Sequence, residues 1–377
     1  MLDMNRVREV FDNSEDFTVG IEEEFQILDP DTLALTPRFE ELDTAAQGDP
    51  ALAAAIAGEL ISSEIEIRSG KGATFAQAVA QQRDARIRLF RLAAECGVRL
   101  AATGTHPWSP WQEQRIIDTE HYRRREEGLK YVAWRNNTFS LHVHVGIRGA
   151  DRAIAVCDRL RAVLPDLLAV SANSPFLDGR DSGLHSARTQ IFTKSFPRCG
   201  VHEPFGDWST YAEFVDFLVT TNSIVEHTQL WWSVRPHHAF GTVEFRICDA
   251  QTRAEDSTAL AGLITACIAQ AAIDYDEGIR PEPVHGRYIE ENMWRAIRYG
   301  MDGRLIDLER REEFEARAIP ERLLAWTAPA RARLGIEPAL PEENGTQRQR
   351  RSGGMHEAFN TEVELTEQTY AHEEVAT

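Results

Sequence analysis

The sequence predicts an α+β fold built around a mainly antiparallel sheet that carries polar groups on one face. Strand-like and helix-like segments alternate irregularly along the 377 residues, and neither an internal repeat nor a long linker divides them. Several strand-like segments alternate polar and apolar residues, which is typical of an antiparallel sheet with one face against a core. A chain of this length forms two domains or one large one, and we expect a single domain over residues 1–377.

The predicted strands rest on side-chain alternation with a period of two residues, or on short apolar runs. They cover residues 17–28, 60–68, 98–103, 138–147, 229–234 and 242–248. The last two are separated by residues 235–241, which indicates a hairpin with a long loop.

The predicted helices rest on the spacing of apolar residues and on stop signals. They cover residues 74–96, 152–170, 208–218 and 256–273, and mostly helices are expected after residue 288. Gly97 closes the first helix, and Pro165 predicts a kink in the second. Residues 341–354 are rich in Glu, Arg, Gln and Gly, which indicates an exposed or mobile loop.

Composition disfavours several classes of protein. The chain has 60 acidic and 41 basic residues, a net charge of −19, and such a surface repels the phosphates of nucleic acid. The longest apolar run, residues 259–273, is shorter than the roughly 20 residues that span a bilayer, which favours a buried helix. Residues 1–10 lack the apolar centre of a signal peptide. The five cysteines form no Cys-x-x-Cys pair, which predicts reduced thiols in the cytoplasm.

Four predicted strands place ionisable side chains on a single face. Alternation groups them as Glu22, Glu24 and Gln26; Glu64, Glu66 and Arg68; His142 and His144; and Glu244 and Arg246. A solvated strand face with paired charges explains each set alone. Carboxylates on one face repel one another unless a cation lies among them. The four sets together therefore predict a shared site, provided that the strands are neighbours.

The donor types favour a hard metal ion and a phosphate-bearing substrate. Carboxylate oxygens with a few imidazoles suit Mg²⁺ or Mn²⁺, and adjacent arginines suit a phosphate or a carboxylate. This combination is what phosphoryl transfer from a metal–nucleotide complex requires. Zinc is the alternative for His142 and His144, but such a site would not need so many further acids. The sequence contains no P-loop, no dinucleotide-binding glycine motif and no nucleophile elbow.

Two loops carry further polar residues. Gly179 and Gly183 in residues 174–183 would let the backbone approach an anion, and Arg188 would supply positive charge. An ordinary turn-rich connection explains the same loop equally well. His106 is better explained as a hydrogen-bonded loop residue than as a metal ligand.

At these residues the sequence resembles the carboxylate–amine ligase family, also called glutamate–cysteine ligase type 2. The matching segments are residues 20–26 (GIEEEFQ), 59–60 (EL), 66–69 (EIRS), 104–107 (GTHP), 142–146 (HVHVG), 174–176 (SPF), 181–183 (DSG), 185–188 (HSAR), 235–236 (RP) and 241–249 (GTVEFRICD). Each segment alone is weakly specific, whereas the ordered set spans most of the chain and is strongly specific. Ser182 stands where relatives often have threonine, and the hydroxyl is kept.

The resemblance implies a glutamine-synthetase-like fold, in which a curved, mainly antiparallel sheet forms a funnel flanked by helices. It also implies ATP- and Mg²⁺-dependent joining of a carboxylate to an amine, with ADP as product, and a homodimer. The partners would be small molecules, ATP and amino acids, with neither nucleic acid nor membrane. Members of the family differ in substrate, so the resemblance implies the reaction class more strongly than the amine.

Our hypothesis from the sequence is a cytoplasmic ligase that joins the γ-carboxylate of glutamate to the amine of cysteine through an acyl phosphate. The residues expected to hold Mg²⁺, or Mn²⁺, are Glu22, Glu24, Glu66, His144 and Glu244, followed by Glu59 and His142. Those expected to stabilise the phosphoryl group or the substrate carboxylates are Arg246, Arg188 and Arg235. Those expected to bind the nucleotide are Arg68, Ser186 and Asp181. A metal-dependent hydrolase and a non-catalytic binder of metal or amino acid are the alternatives.

Overall fold

The strands and helices come from a computed structural model that describes residues 3–371. The strands are β1 (Val19–Leu28), β2 (Ile56–Ala57), β3 (Glu64–Arg68), β4 (Arg99–Ala101), β5 (Ser140–Gly146), β6 (Phe176–Leu177), β7 (Arg180–Asp181), β8 (Cys199–Gly200), β9 (Trp231–Trp232), β10 (Val234–His237), β11 (Thr242–Asp249), β12 (Arg304–Asp307) and β13 (Glu312–Glu315). The helices are α1 (Met4–Asp12), α2 (Phe39–Ala46), α3 (Pro50–Ala55), α4 (Phe75–Glu95), α5 (Glu120–Leu129), α6 (Tyr131–Trp134), α7 (Ala150–Leu160), α8 (Leu164–Ser171), α9 (Ala187–Ser195), α10 (Trp208–Thr220), α11 (Ala254–Asp276), α12 (Gly286–Tyr299), α13 (Ile319–Trp326), α14 (Ala328–Leu334), α15 (Gly345–Arg351) and α16 (Met355–Ala371).

One antiparallel sheet organises the fold. Its strands are ordered β10-β11-β5-β1-β3-β2, and β4 pairs with the end of β1. Strand β1 is central because β5 pairs with its first half and β3 with its middle. The sheet stays open, with β10 and β2 at its edges, and Pro236 lies in β10, where the missing N–H is tolerated. The predicted α+β fold with a mainly antiparallel sheet is confirmed.

One face of the sheet packs against helices. On β5 and β11, Val143 and Phe245 are fully buried against a cluster that includes residues of α7, α8 and α11. On β1 and β3, Phe25 and Ile65 join a second apolar cluster with α4 and α16. Because side chains alternate along a strand, packing this face fixes the opposite face as the polar one.

Helix α11 is the central helix of the core. Its length and mean hydropathy of 1.4 would allow it to cross a membrane, but 89% of its apolar window is buried inside the fold. The expectation of a buried helix over residues 259–273 is therefore confirmed.

A buried ion pair joins the sheet to the helices behind it. Glu23 points away from its neighbours on the polar face and accepts two hydrogen bonds from Arg86 of α4, at 2.6 and 2.7 Å. Ser257 of α11 and Gln82 of α4 also donate to this carboxylate. Burial opposes its ionisation, but the Arg86 guanidinium holds the pKa of Glu23 below its ordinary value. This acid therefore has a structural role.

Three predicted elements differ from the structure. Strand β10 reaches His237, so Arg235 lies in a strand, and the predicted long loop is a turn of residues 238–241. The predicted helix over residues 152–170 is interrupted by a 3-10 turn, and Pro165 lies in the first turn of α8, where its missing N–H costs nothing. Strands β12 and β13 form a hairpin in a region expected to be mostly helical.

The prediction of an exposed loop over residues 341–354 is wrong for the residues that form α15. Asn344 caps this helix, and its side chain and that of Gln347 each accept from the other's backbone N–H. Arg348 is buried and pairs with Glu362 of α16 at 3.0 Å. A polar, glycine-containing composition suggested exposure, but these polar groups are bound inside the fold.

Candidate active site

The polar face of the sheet brings together acids from neighbouring strands. Glu22 of β1 lies opposite His142 of β5 on one side and Arg68 of β3 on the other. Two residues further along β1, Glu24 lies opposite Glu66. Antiparallel pairing thus converts separate sequence motifs into one surface, as the sequence predicts.

A second row of the same face crosses four strands. Arg235 of β10 lies opposite Glu244 of β11, which lies opposite His144 of β5. His144 in turn lies opposite Gly20, which has no side chain. The imidazole of His144 instead approaches Glu22, with its Nε2 3.4 Å from Oε1 of that carboxylate.

Three groups of donors are close enough to hold metal ions. Within each group the donor atoms lie within 4.8 Å of one another. The groups are Glu22, Glu66 and His142; Glu22, His144 and Glu244; and Glu24, Glu59 and Glu66. Shared members make the groups adjoin along the face. The structure brings together all seven residues expected to be metal ligands, and their binding of metal stays a prediction.

The acids nearest β3 retain protons in the absence of a cation. Burial, followed by the charge of Glu59, raises the pKa of Glu24 to about 7. Burial and the neighbouring carboxylates raise the pKa of Glu64 and of Glu66 well above the ordinary value. Such mutual repulsion is what a bound cation would relieve.

Serine and histidine side chains link two of these acids. Ser140 donates to Glu24 from its hydroxyl at 2.6 Å and also from its backbone N–H. Its oxygen is 2.7 Å from Nε2 of His142, whose Nδ1 lies 3.2 Å from Glu22. Burial, with Arg246 nearby, lowers the pKa of His142 to about 3, so this imidazole is neutral and able to donate a lone pair.

His144 is suited to bind a metal because one of its ring nitrogens has no hydrogen-bond partner. Its Nε2 is buried without a hydrogen-bond partner, while carboxylate oxygens of Glu22 and Glu244 lie 3.4 and 3.9 Å away. Burial opposes a charge here, but those two acids raise the pKa of His144 above its ordinary value. The same two acids that favour the charged imidazole would also attract a cation, and the oxygen-rich donor set suits Mg²⁺ or Mn²⁺.

Two of the three predicted arginines surround Glu244. Arg235 donates to it at 2.7 Å and to the backbone carbonyl of Leu230, so its guanidinium is fully engaged. Arg246 donates to Glu244 through one nitrogen, and its buried Nε has no partner. Burial notwithstanding, these guanidinium groups hold the pKa of Glu244 well below its ordinary value. Arg246 therefore keeps donor capacity for a substrate.

Arg188 lies near Glu24, where its charge opposes the rise in the pKa of that acid, and its buried Nε has no hydrogen-bond partner. It donates to the backbone carbonyls of Ile247 and Arg246 at 3.0 and 3.1 Å, where the pairing of β11 with β5 shifts register. Bulges re-aim side chains, so these contacts position Arg246.

A cavity of about 620 Å³ opens beside the second donor group. Glu22 and His144 form part of its wall, and Arg68 and Lys71 bring positive charge. Arg68 also donates to Glu66. The volume of this cavity is in the range of small-molecule binding sites.

Two residues expected to bind the nucleotide have other partners. Ser186 is fully buried, caps α9 and donates to Asp249 at 2.9 Å. Asp181 is exposed and pairs with Arg350 at 2.8 Å. Neither lines the cavity beside Glu22, and their binding of the nucleotide stays a prediction. His106 is a hydrogen-bonded loop residue, as predicted, with a pKa lowered to about 3 by burial.

Sequence reasoning left two contributors out of the expected ligands. Alternation placed Glu64 on the polar face with Glu66, but Glu64 was not named as a ligand, although burial and the neighbouring acids raise its pKa as they do that of Glu66. Tyr122 of α5 donates to the carbonyl of Gly58 at 2.5 Å, next to Glu59. No strand pattern surrounds Tyr122, so nothing local connects it with the sheet.

Comparison with known proteins identifies the family. The model of glutamate–cysteine ligase family 2 (GCS2) matches residues 18–358. The chain belongs to this family. Two relatives, both named "Putative glutamate--cysteine ligase 2", align with most of this chain. The protein from Solibacter usitatus is 37% identical over 361 residues, 93% of each chain, and that from Sorangium cellulosum is 41% identical over 310 residues, 82% of each chain.

Solved structures share the fold of this family member at low identity. A bifunctional glutathione synthetase from Pasteurella multocida has a TM-score of 0.67 at 14% identity, covering 97% of this chain and 54% of that one. A glutamate–cysteine ligase from Francisella tularensis, in complex with AMP, has a TM-score of 0.64 at 11% identity, covering 96% and 90%. At this identity the likeness establishes the fold alone.

Proposed function

We propose that this protein is an ATP- and Mg²⁺-dependent ligase that joins the γ-carboxylate of glutamate to the amine of cysteine through an acyl phosphate. One observation carries the proposal: three adjoining groups of buried carboxylates and imidazoles lie beside an incompletely bonded arginine, Arg246. Membership of the glutamate–cysteine ligase family supports the same reaction class.

The donor groups are proposed to hold the metal. The ligands would come from Glu22, Glu24, Glu59, Glu66, His142, His144 and Glu244. When bound, Mg²⁺ supplies positive charge that neutralises the phosphate oxygens during transfer. The protein's contribution is a rigid face: Ser140 holds Glu24, and Arg235 holds Glu244, before any substrate arrives.

The arginines are proposed to have different roles in binding the phosphate groups. Arg246 would donate to the transferred phosphoryl group, where charge develops. Arg188 would act through it, because its guanidinium fixes the carbonyls of residues 246 and 247. The nucleotide would occupy the cavity beside Glu22, with Arg68 and Lys71 facing its phosphates.

Phosphorylation gives the carboxylate a leaving group. A carboxylate and an amine do not condense spontaneously at neutral pH, so attack on an acyl phosphate supplies the driving force. The reaction needs no covalent protein nucleophile. Consistently, burial raises the pKa of the Cys248 thiol to about 12, far from a reactive thiolate.

The funnel, the cytoplasmic location and the homodimer belong to the same proposal. Tyr122 contacts Gly58, next to edge strand β2, while its neighbour His121 lies 3.3 Å from Glu226, in the connection leading to the opposite edge strand β10. One helix contacting both ends supports a sheet that curves into a funnel. Five free cysteines support a reducing compartment.

One experiment separates the candidate functions. The protein is incubated with ATP, Mg²⁺, glutamate and a panel of amines that includes cysteine, and ADP, phosphate and product are followed. Amine-dependent ADP release supports the ligase. Product without ATP consumption would instead support a metal-dependent hydrolase, and absence of product and ADP would support a binding protein.

A further inference from the structure

Helix α5 lies next to edge strand β2 through the contact of Tyr122 with Gly58, but it is weakly attached. None of its residues is buried. Its described side-chain contacts with the site are the hydrogen bond from Tyr122 to Gly58 and the His121 pair with Glu226. It therefore lies beside the segment that carries Glu59 without belonging to the core.

Three consecutive arginines on this helix have different surroundings. Arg123 pairs with Asp118 and Arg124 with Glu120, both at the exposed surface. Arg125 follows Tyr122 by three residues and His121 by four, so it shares their side of the helix. That side contacts Gly58, which precedes Glu59 of the third donor group.

Arg125 is charged and without an ionic partner among the described residues. Its Nε is buried without a hydrogen-bond partner, and its guanidinium carbon lies 5.8 Å from the centre of the Tyr122 ring. Elsewhere in this site arginines are engaged by carboxylates or carbonyls, as Arg235 is. A half-buried guanidinium without an ionic partner is able to bind an anionic group of a ligand.

We propose that Arg125 binds a phosphate or carboxylate oxygen of a substrate that lies on the carboxylate face. The inference rests on the proposed function and adds an anion-binding residue from outside the sheet. Glu59 and Arg125 both lie near enough to Tyr122 for their opposite charges to act on its phenol. Burial and then Glu59 raise the pKa of Tyr122, whereas Arg125 opposes the rise, in agreement with this placement.

Binding measurements on variants of the full chain test the proposal. Arg125→Gln removes the charge, Arg125→Lys keeps it, and Arg124→Gln is the matched control on the exposed side. Affinities are measured by calorimetry for a non-hydrolysable ATP analogue with Mg²⁺ and, separately, for glutamate. We expect Arg125→Gln to lose about 10- to 100-fold in affinity for one of them, as for a charge-assisted hydrogen bond. Arg125→Lys should recover part of the loss, and Arg124→Gln should match the wild type.

The ligand that is lost identifies the anion. A weaker nucleotide complex assigns Arg125 to phosphate, and a weaker glutamate complex assigns it to carboxylate. The proposal is overturned if Arg125→Gln binds both like Arg124→Gln, or if the wild type binds neither. A wild type that binds both but forms no ADP would contradict the proposed function alone, and the Arg125 comparison would still be decisive.

Discussion

Oε1 of Glu22 lies 3.4 Å from Nε2 of His144, although the register of the sheet places His144 opposite Gly20. Because Gly20 has no side chain, the imidazole is free to approach the next acid along β1. Two strands thereby share one donor group with Glu244 of a third. A Cβ at position 20 would lie 3.5 Å from that of His144, in ordinary van der Waals contact, so only a side chain longer than that of alanine would compete for this space.

The first prediction contrasts adjacent acids of β1. Glu24→Gln should abolish ATP-dependent turnover while the protein stays folded, because Glu24 belongs to a donor group and its removal relieves repulsion. Glu23→Gln is the control on the opposite face. It should cost about 3–5 kcal/mol of unfolding free energy, because a buried ion pair between Arg86 and Glu23 is broken. Denaturant unfolding and ADP release measure both effects. Wild-type turnover by folded Glu24→Gln would remove this residue from the mechanism.

The second prediction concerns the two faces of β11. Phe245→Ala should cost about 3–5 kcal/mol, since the ring is fully buried among apolar side chains. From the sequence alone, Glu244→Ala would cost activity far more than stability. The structure changes that expectation, because the variant leaves Arg235 and Arg246 without their shared carboxylate. We expect Glu244→Ala to lose both activity and thermal stability, and an unchanged melting temperature would contradict this account of the ion pairs.

The third prediction is a pH-dependent effect of Mg²⁺. The raised pKa of Glu24, about 7, means that without metal the folded state holds a proton that the unfolded state releases near pH 4.5. Its contribution to stability is present below that lower pH and is lost as the pH rises through about 7. Glu64 and Glu66 are shifted in the same direction. A metal ion replaces these protons, so its stabilising effect should grow with pH.

Thermal unfolding in Mg²⁺ and in EDTA measures this effect. The difference in melting temperature should be larger at about pH 8 than at about pH 6. Buried neutral histidines such as His106 contribute equally with and without metal, so they cancel in the difference. A difference that shrinks with rising pH would show that these acids do not hold the ion.

The fold class and the polar face were predictable because side-chain alternation records which way each residue points. Glu22, Glu24 and Glu66 were grouped correctly for that reason alone. Alternation does not report what lies behind a strand, so the buried partner of Glu23 was not foreseen. Alternation also does not distinguish an arginine that is free to bind substrate from one that already pairs with a carboxylate, as Arg235 does.

The errors have related causes. Residues 341–354 were expected to be exposed because they are polar, yet Arg348 is bound inside the fold by Glu362, 14 residues further along the chain. Such a pair is a tertiary contact that composition does not encode. The same holds for α5, whose place over the sheet depends on contacts with residues distant in sequence, Gly58 and Glu226.

The fourth prediction concerns the phosphoryl group. Arg246→Lys should slow ADP formation strongly while leaving the protein folded, because an ammonium still pairs with Glu244 but cannot also present a second planar donor to phosphoryl oxygens. Turnover close to that of the wild type would assign Arg246 to holding Glu244 only. The control is Arg68→Lys, where the side chain is half exposed and a smaller effect is expected.

The most direct test of the account is the fate of the oxygen atoms of the substrate carboxylate. If the γ-carboxylate of glutamate attacks ATP at the γ-phosphorus, one of its oxygens leaves with phosphate when the amine attacks. Glutamate labelled with heavy oxygen in that group should therefore pass one labelled oxygen to the phosphate released with each product, as mass spectrometry would detect. Label in AMP, or unlabelled phosphate accompanying product, would contradict the acyl-phosphate mechanism.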